Sequence, residues 1–378
     1  MSYKYIFTVL LIMLLLSACS REPVTDTIII PDTNQTPLEN SSSKPVQVKT
    51  IYRVPDYFSN IGRILGWSAQ NAIIASFNSS EKVRLEQLPY PFENAKAVDS
   101  IDRVSYDSVV SPDGKYMCEI SFLPDGTIVQ LLSIQDGKKT LMSKWSDSTA
   151  YIQNVSWSAN SQYISYLVNR SSDREQKGLN STVHIYNIST QKDNSYQLSG
   201  FQQKDTLIRA DVANNGTSVL LQSYQTQHEQ KKVVTMTEVS GNTLDIQYER
   251  EISGDHVSWI NNDQFVFPGS DGSLYEYDRR NGELSVILDH VLSFAFSNDC
   301  KNIAYTSLQD PNIIYVGKIQ GRNILHQEAV YRGISASALY WSPNGKRLLI
   351  QGAKPWDTAQ SSSASNYSEE ALIVELES

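Results

Sequence analysis

The sequence predicts an all-β fold, a seven-bladed β-propeller made of four-stranded antiparallel blades. Seven copies of a short turn motif recur between Ile64 and Ile350 with a mean spacing of about 46 residues, a period typical of propellers. A short apolar strand follows each turn, and helical periodicity is confined to the N-terminal segment. The seven copies are centred on residues 68, 111, 158, 213, 260, 297 and 342.

Composition excludes several classes of protein. With 40% hydrophobic and 19% charged residues, the chain of 378 residues is predicted to fold rather than to remain disordered. A net charge of −9 argues against nucleic acid as a partner. Three cysteines are too few for a disulfide framework, and five scattered histidines without HExxH spacing predict neither a metal site nor a cofactor.

The N-terminal segment predicts export and lipid anchoring. Lys4 precedes an apolar run from Ile6 to Leu16, which is too short to span a bilayer but has the length of a signal-peptide core. The run ends in Leu16-Ser17-Ala18-Cys19, which resembles the lipobox of bacterial lipoproteins. That resemblance implies removal of residues 1–18, lipidation of Cys19 and attachment outside the cytoplasmic membrane. The alternative is an ordinary secretory signal peptide with a cysteine near its cleavage site.

Residues 19–47 predict a flexible linker, because they are rich in Ser, Thr, Asn and Pro. A coil of this length has a root-mean-square reach of roughly 30 Å, enough to lift a folded domain clear of lipid headgroups. The propeller domain is predicted over residues 48–378.

The recurring motif predicts a tight β-hairpin turn. Its fullest copies are Ser111-Pro112-Asp113-Gly114-Lys115 and Ser342-Pro343-Asn344-Gly345-Lys346. Proline presets a type I turn, Asp or Asn follows, and Gly accepts the left-handed conformation that closes the hairpin. Cys300 occupies the glycine position of its copy and fits it worst. Third and fourth strands follow each hairpin, as in 274–278 and 283–288, and four strands per period form a propeller blade.

The Ser-Pro-Asp-Gly-Lys turn, preceded by an aromatic or apolar residue, resembles the TolB-like (WD40-like) propeller repeat over roughly residues 60–350. The resemblance implies the propeller fold. It does not transfer the partners of TolB, whose additional N-terminal α/β domain this sequence does not contain.

Strand counting predicts how the ring closes. The seventh unit ends with its third strand, at about 371–377, and an extra extended segment at about 48–54 precedes the first unit. We expect these two segments to pair, since an open ring would expose long strand edges. The alternative is that 48–54 continues the linker.

Four tryptophans share one repeat position, which precedes the turn. An aromatic cage for a sugar or a cation is one interpretation. Regular recurrence favours packing between blades instead. These residues are Trp67, Trp157, Trp259 and Trp341.

No catalytic motif stands out. Gly-x-Ser-x-Gly is missing, and Gly333-Ile334-Ser335-Ala336-Ser337 is its nearest approach. Cys118 lies inside a predicted strand and is expected to be buried. Peptidases of the prolyl oligopeptidase type place a hydrolase domain beside a similar propeller, and none follows here. A central-channel metal site of the lactonase type leaves no spacing signature and stays an alternative.

Variable loops predict a binding face. Function concentrates on variable loops held by a rigid scaffold. Among these loops, residues 169–181 are rich in charged side chains, and residues 352–370 form the longest loop. The candidate partner-binding residues are Arg170, Arg174, Lys354, Trp356 and Asp357, with packing of Trp356 on its own blade as the alternative.

These observations predict a monomeric, non-enzymatic cell-envelope lipoprotein that binds a protein, peptide or glycan through its variable loops. Two alternatives stay open. One is a propeller enzyme, a hydrolase, lyase or lactonase, with its site in the central channel. The other is a sensory module of envelope signalling.

Overall fold

The computed structural model describes residues 45–78, 82–102, 105–146, 150–171, 179–199, 201, 206–225, 231–254, 256–355 and 367–377. Within these ranges the chain forms 28 β-strands and one π-helical turn, Tyr57–Ile61, which the sequence did not predict. Cys19 and most of the predicted linker lie outside the described residues, as do Arg174, Trp356 and Asp357.

Five sheets contain four strands each, and every neighbouring pair within them is antiparallel. In chain order their strands are β2 Arg63–Ala69, β3 Ala72–Asn78, β4 Lys82–Pro89, β5 Lys96–Asp102; β6 Ser105–Val110, β7 Tyr116–Leu123, β8 Gly126–Ser133, β9 Lys139–Trp145; β18 Ser258–Trp259, β19 Gln264–Pro268, β20 Leu274–Asp278, β21 Glu283–Leu288; β22 Val291–Phe296, β23 Asn302–Ser307, β24 Ile313–Gln320, β25 Asn323–Arg332; and β26 Ser335–Trp341, β27 Arg347–Pro355, β28 Tyr367–Glu377 with β1 Gln47–Arg53.

The sixth sheet has eight strands. One half is β10 Ala150–Trp157, β11 Tyr163–Ser171, β12 Leu179–Asn187 and β13 Lys192–Leu198. The other half is β14 Thr206–Val212, β15 Ser218–Gln225, β16 Lys231–Ser240 and β17 Thr243–Glu251. Among the described residues, the strand ladder that joins the two antiparallel halves is a short parallel one between β13 and β17, at Gln197–Leu198. The structure therefore confirms an all-β propeller and corrects the predicted seven separate blades to five sheets plus one eight-stranded sheet.

The predicted closure is confirmed. β1 pairs antiparallel with β28, from Gln47 opposite Glu377 to Arg53 opposite Leu372. The N-terminal strand thus supplies the outer strand of the sheet that ends the described chain.

The predicted packing role of the four tryptophans is also confirmed. Each indole N–H donates a hydrogen bond to a backbone carbonyl on the innermost strand of the preceding four-stranded unit, at 2.8–3.0 Å. Buried indoles need such a partner for their one polar group. The pairs are Trp67 with Tyr340, Trp157 with Val109, Trp259 with Asp211, and Trp341 with Ala295.

Turn geometry explains why serine recurs in the motif. In the copy at Ser111, the hydroxyl donates to Asp113 Oδ1 at 2.7 Å and accepts from the Tyr116 amide at 3.0 Å. The same pair of bonds forms at Ser158, Ser297 and Ser342. Each serine is buried, so its hydroxyl must be satisfied inside the turn. Cys300 takes the glycine position with a φ of 52°, as its place in the motif predicted.

Candidate functional site

Cavities lie along the central channel, between the first strands of the sheets. The face that carries the motif turns is called the turn face, and the opposite face, where β19–β20 and β23–β24 connect, is called the loop face. A cavity of about 980 Å³ lies toward the loop face and is called the mouth cavity. Two cavities of about 240 Å³ each lie toward the turn face. The mouth cavity is near the upper end of the range for small-molecule sites.

Arg209 is the cation of the channel. It lies on β14 and lines both the mouth cavity and one turn-face cavity, so it is placed at the depth where the two meet. Its Nε donates to both carboxylate oxygens of Asp211, at 2.9 and 2.7 Å. Ser156, from the other half of the eight-stranded sheet, also donates to Asp211. Asp211 is buried and is fully engaged as an anchor for the arginine.

Arg209 lines the channel cavities while its contact with Asp211 uses Nε. Among the described residues, the hydrogen bonds of Arg209 to Asp211 are made by Nε and none is formed by Nη1 or Nη2. Asp211 raises the pKa of Arg209, against the effect of burial, so the guanidinium stays charged. A fixed cation in a recessed channel is suited to binding a carboxylate or another planar anion.

His256 is the second ionisable group at this depth. It precedes β18, lines the same two cavities as Arg209, and is accessible from the channel. Its ring meets the Phe294 ring edge-on, with centroids 4.7 Å apart. Surrounding protein, and then the charge of Arg209, lower the pKa of His256 to about 4, while Asp211 acts in the opposite direction. The imidazole is therefore neutral across the whole neutral pH range.

Of the five sequence-predicted partner-binding residues, the structure describes Lys354 and Arg170, and it places each of them on a strand. Lys354 is not in a loop: β27 extends to Pro355, where Lys354 faces Ser368 and pairs with Glu370 at 3.9 Å. Arg170 likewise belongs to β11, where it is exposed and pairs with Ala150 on β10. Both strands run longer than predicted because their ladders with neighbouring strands continue. Arg174, Trp356 and Asp357 lie outside the described residues.

Sequence reasoning missed Arg209, Asp211 and His256 because no motif joins them. Arg209 and Asp211 lie on β14, whereas His256 lies in the connection before β18, 47 positions after Arg209, and it joins them only when the ring forms. One signal was available. The segment Thr206–Val212 reads TLIRADV, and it puts an arginine and an aspartate into a strand that the repeat assigns to the channel wall.

Two further searches covered the described residues. They contain no group of three or more His, Cys, Asp or Glu side chains placed to hold a metal ion. In the same part of the chain, no helix has the length and apolar character needed to cross a membrane.

The sequence matches no family model and no curated protein. Solved structures share the fold at low sequence identity. An oligogalacturonate lyase in complex with manganese is 9% identical, with a TM-score of 0.58, over 88% of this chain and 97% of that chain. RRP9 WD40 repeats are 12% identical, with a TM-score of 0.53, over 88% of this chain and 100% of that chain.

A third neighbour is an acylaminoacyl peptidase, 11% identical with a TM-score of 0.55, over 85% of this chain and 53% of that chain. This chain therefore spans about half of the peptidase but almost the whole of the lyase. At these identities the matches confirm a WD40-like propeller fold and nothing finer.

The prediction that this chain is not an enzyme is wrong. It relied on the lack of a catalytic motif and of a hydrolase domain after the propeller. The lyase, matched over 97% of its chain, is an enzyme within that same length of propeller. The manganese of that lyase is not carried over, because the described residues include no donor set that fits it.

Proposed function

We propose that this protein is a lipid-anchored enzyme of the bacterial cell envelope, a lyase that acts on an acidic saccharide in its central channel. Each half of the eight-stranded sheet counts as one blade in this proposal, which gives seven. Anchoring through Cys19 rests on the lipobox-like sequence from Leu16 to Cys19. The observation that carries the activity is the presence of Arg209 and neutral His256 at the same depth of one channel.

Arg209 supplies the recognition of substrate. Its Nε is fixed by Asp211, which sets the plane of the guanidinium, and its side chain lines the channel cavities. Two parallel N–H groups match the two oxygens of a carboxylate. In a recessed site this contact also stabilises negative charge that develops on the carboxylate during a reaction.

His256 supplies the base. An unprotonated ring nitrogen takes the hydrogen from the carbon next to the bound carboxylate, and the electron pair of that C–H bond becomes a C=C bond. The bond from the neighbouring carbon to the leaving oxygen breaks, that oxygen takes a proton from water, and the imidazolium of His256 gives its proton to the hydroxide so formed, which restores the base. Arg209 stabilises the charge that passes through the carboxylate. This is β-elimination, and it needs one base and one cation.

Glycoside hydrolysis fits the described residues less well. It uses two carboxyl groups on opposite sides of the scissile bond. The carboxylates around the described cavities are Asp211, which is tied to Arg209, and Asp271, which accepts a hydrogen bond from Tyr275 at the mouth. The geometry therefore favours elimination over hydrolysis.

The experiment incubates the purified full-length protein with short oligogalacturonates, the substrate named for the neighbouring lyase. Elimination creates an unsaturated uronate, whose ultraviolet absorbance rises with time. His256→Gln should lower the rate at least a hundredfold, because a general base contributes roughly 10²–10⁴. Arg209→Lys should raise KM and lower kcat together.

His326→Asn provides the matched control, since His326 lies on β25, away from the described channel cavities, and has a φ of 53° that asparagine tolerates. Its rate should equal that of the wild type. A His256→Gln variant that folds and turns over at the wild-type rate would remove the proposed base. Failure of a panel of acidic saccharides to react would refute the activity.

A further inference from the structure

A hydrogen bond crosses the turn face of the channel. Asn298 Nδ2 donates to the carbonyl oxygen of Pro112 at 2.7 Å. Asn298 lies in the turn between β22 and β23, and Pro112 lies in the turn between β6 and β7. These sheets are not neighbours in the ring. Two sheets separate them on one side, and the eight-stranded sheet and the β18–β21 sheet separate them on the other.

The crossing residues divide the turn face. Pro112, Ala295, Phe296 and Asn298 line both of the cavities of about 240 Å³, which lie on the two sides of this crossing. Each of these cavities is smaller than the usual range for a small-molecule site. The mouth cavity, at about 980 Å³, contains none of these four residues in its lining.

We infer that the channel is a blind pocket, open to substrate at the loop face and closed at the turn face by the bridge between Asn298 and Pro112. The inference rests on the proposed function and defines which part of the substrate is bound. Arg209 and His256 line both the mouth cavity and one turn-face cavity, and of these two only the mouth cavity is large enough for a saccharide, so a saccharide reaches them from the loop face.

A blind pocket selects chain ends. A polymer cannot thread through it, so an acidic saccharide enters with one terminus and is cleaved near that terminus. The product leaves by the same face as the substrate entered. Walls of the mouth cavity include exposed Leu292 and Leu308, which suit the apolar faces of sugar rings beside the carboxylate held by Arg209.

The route to His256 is tested without any activity. Diethyl pyrocarbonate acylates neutral imidazoles, and mass spectrometry reports the modification of His256. In Ser270→Cys, a bulky maleimide placed at the mouth should slow that modification at least tenfold. The matched control is Ala159→Cys, whose label sits at the turn face and should leave the rate unchanged. Equal rates with both labels would overturn the blind pocket.

The bridge itself is tested by Asn298→Ala. Another copy of the motif already has alanine at the equivalent position, Ala159. In the mouth-labelled protein this change should restore much of the modification of His256. Ser161→Ala removes a bond between adjacent turns, from the Asp113 amide at 3.0 Å, and should restore none. Restoration by Ser161→Ala and not by Asn298→Ala would assign the floor to other residues and contradict the inference.

Product analysis tests the choice of chain ends. Early in the reaction with oligogalacturonates of defined length, the wild type should release one short product while the remaining chains shorten stepwise. A spread of product lengths from the first time point would overturn the chain-end mode while leaving the lyase activity established. Lack of any turnover would refute the lyase, whereas the labelling result would still decide whether the pocket is blind.

Discussion

The Tyr52 hydroxyl donates a 3.0 Å hydrogen bond to Oε2 of Glu375, across the strand pair that closes the ring. Glu375 also meets Lys49 at 3.4 Å and Arg347 at 3.2 Å. Arg347 lies over the Tyr90 ring, 5.3 Å from its centroid, and so reaches the β2–β5 sheet. Glu375 therefore links β1, β27 and β28, where the two ends of the described chain meet.

Deleting β1, residues Gln47–Arg53, should prevent stable folding. The deletion exposes the edge of β28 and removes a strand that packs beside buried Val54 and Phe58. Urea unfolding followed by tryptophan fluorescence measures the outcome. The matched control deletes residues 20–43, within the predicted linker, and should keep the wild-type midpoint. A β1 deletion variant with an unchanged midpoint would refute closure by this strand.

Glu375 should make stability sensitive to acid. Burial acts to raise its pKa, but the hydrogen bond from Tyr52 and the charges of Arg347 and Lys49 outweigh burial and lower it. A lowered folded-state pKa means that the stabilisation is complete above about pH 4.5 and is lost as the pH falls through the folded-state value. Glu375→Gln should therefore lower the free energy of unfolding by about 1 kcal/mol at pH 7 and should change it very little at low pH.

The comparison is made by urea unfolding of wild type and Glu375→Gln at several pH values. Glu377→Gln is a suitable control, since Glu377 is exposed on the same strand. A constant difference between wild type and Glu375→Gln at all pH values would contradict the assigned shift.

His256 should titrate near pH 4 in the folded protein, well below an ordinary histidine. The imidazole signal in NMR spectra gives this value directly. Because the unfolded chain takes up the proton first, folding stability should fall as the pH drops from about 6.5 toward 4 and then level off for this group. Elimination by His256 should rise with pH through about 4 and reach a plateau.

Arg209→Gln separates the causes of that shift. Removing the positive charge should raise the pKa of His256, while desolvation by the surrounding protein still holds it below 6.5. An unchanged midpoint would assign the shift to the surrounding protein alone. An ordinary histidine midpoint in the wild type would contradict the whole assignment.

Much of the fold was predictable because the repeat fixes local structure. In four of the seven turns, Ser and Asx close the turn by bonds within five residues, so these turns can be predicted without tertiary information. Strand counting predicted the closing pair. The last unit contributes three strands of its own, so its fourth strand has to come from another part of the chain. The parallel contact between β13 and β17 could not be predicted from the sequence, since only two residue pairs form it.

The candidate site was not predictable by the same means. Arg209 and His256 are 47 positions apart in the sequence, and their common cavity exists only in the closed ring. Asn298 and Pro112, which form the bridge, are even farther apart in the sequence, by 186 positions. Contacts across a channel depend on how far the ring departs from circular, which no turn motif encodes. Lys354 lies on β27 and not in a loop for a local reason, because the ladder between β27 and β28 continues past it.

Cys19→Ser should release the protein from membranes. If diacylglycerol is attached at Cys19, metabolic labelling with palmitate should mark the wild type and leave the variant unmarked. Several acyl chains anchor firmly, so the wild type should stay with the membrane in high salt. Cys118→Ser controls for general thiol loss, since Cys118 is buried in β7. An unlabelled wild type in the soluble fraction would contradict anchoring and leave the propeller fold unaffected.

Gly114→Ala should be far more damaging than Gly137→Ala, although both glycines have nearly the same backbone conformation. Their φ values are +71° and +69°, so alanine at either place should cost about 1–2 kcal/mol from left-handed strain. An added Cβ at Gly137 meets nothing within 4 Å, whereas at Gly114 it lies 2.7 Å from the backbone carbon of Ser68 in the neighbouring sheet. Backbone cannot move aside without separating the sheets, so Gly114→Ala should lower the free energy of unfolding by clearly more than Gly137→Ala. Equal losses in urea unfolding would show that the turn at Gly114 does not pack against the adjacent sheet as the structure has it.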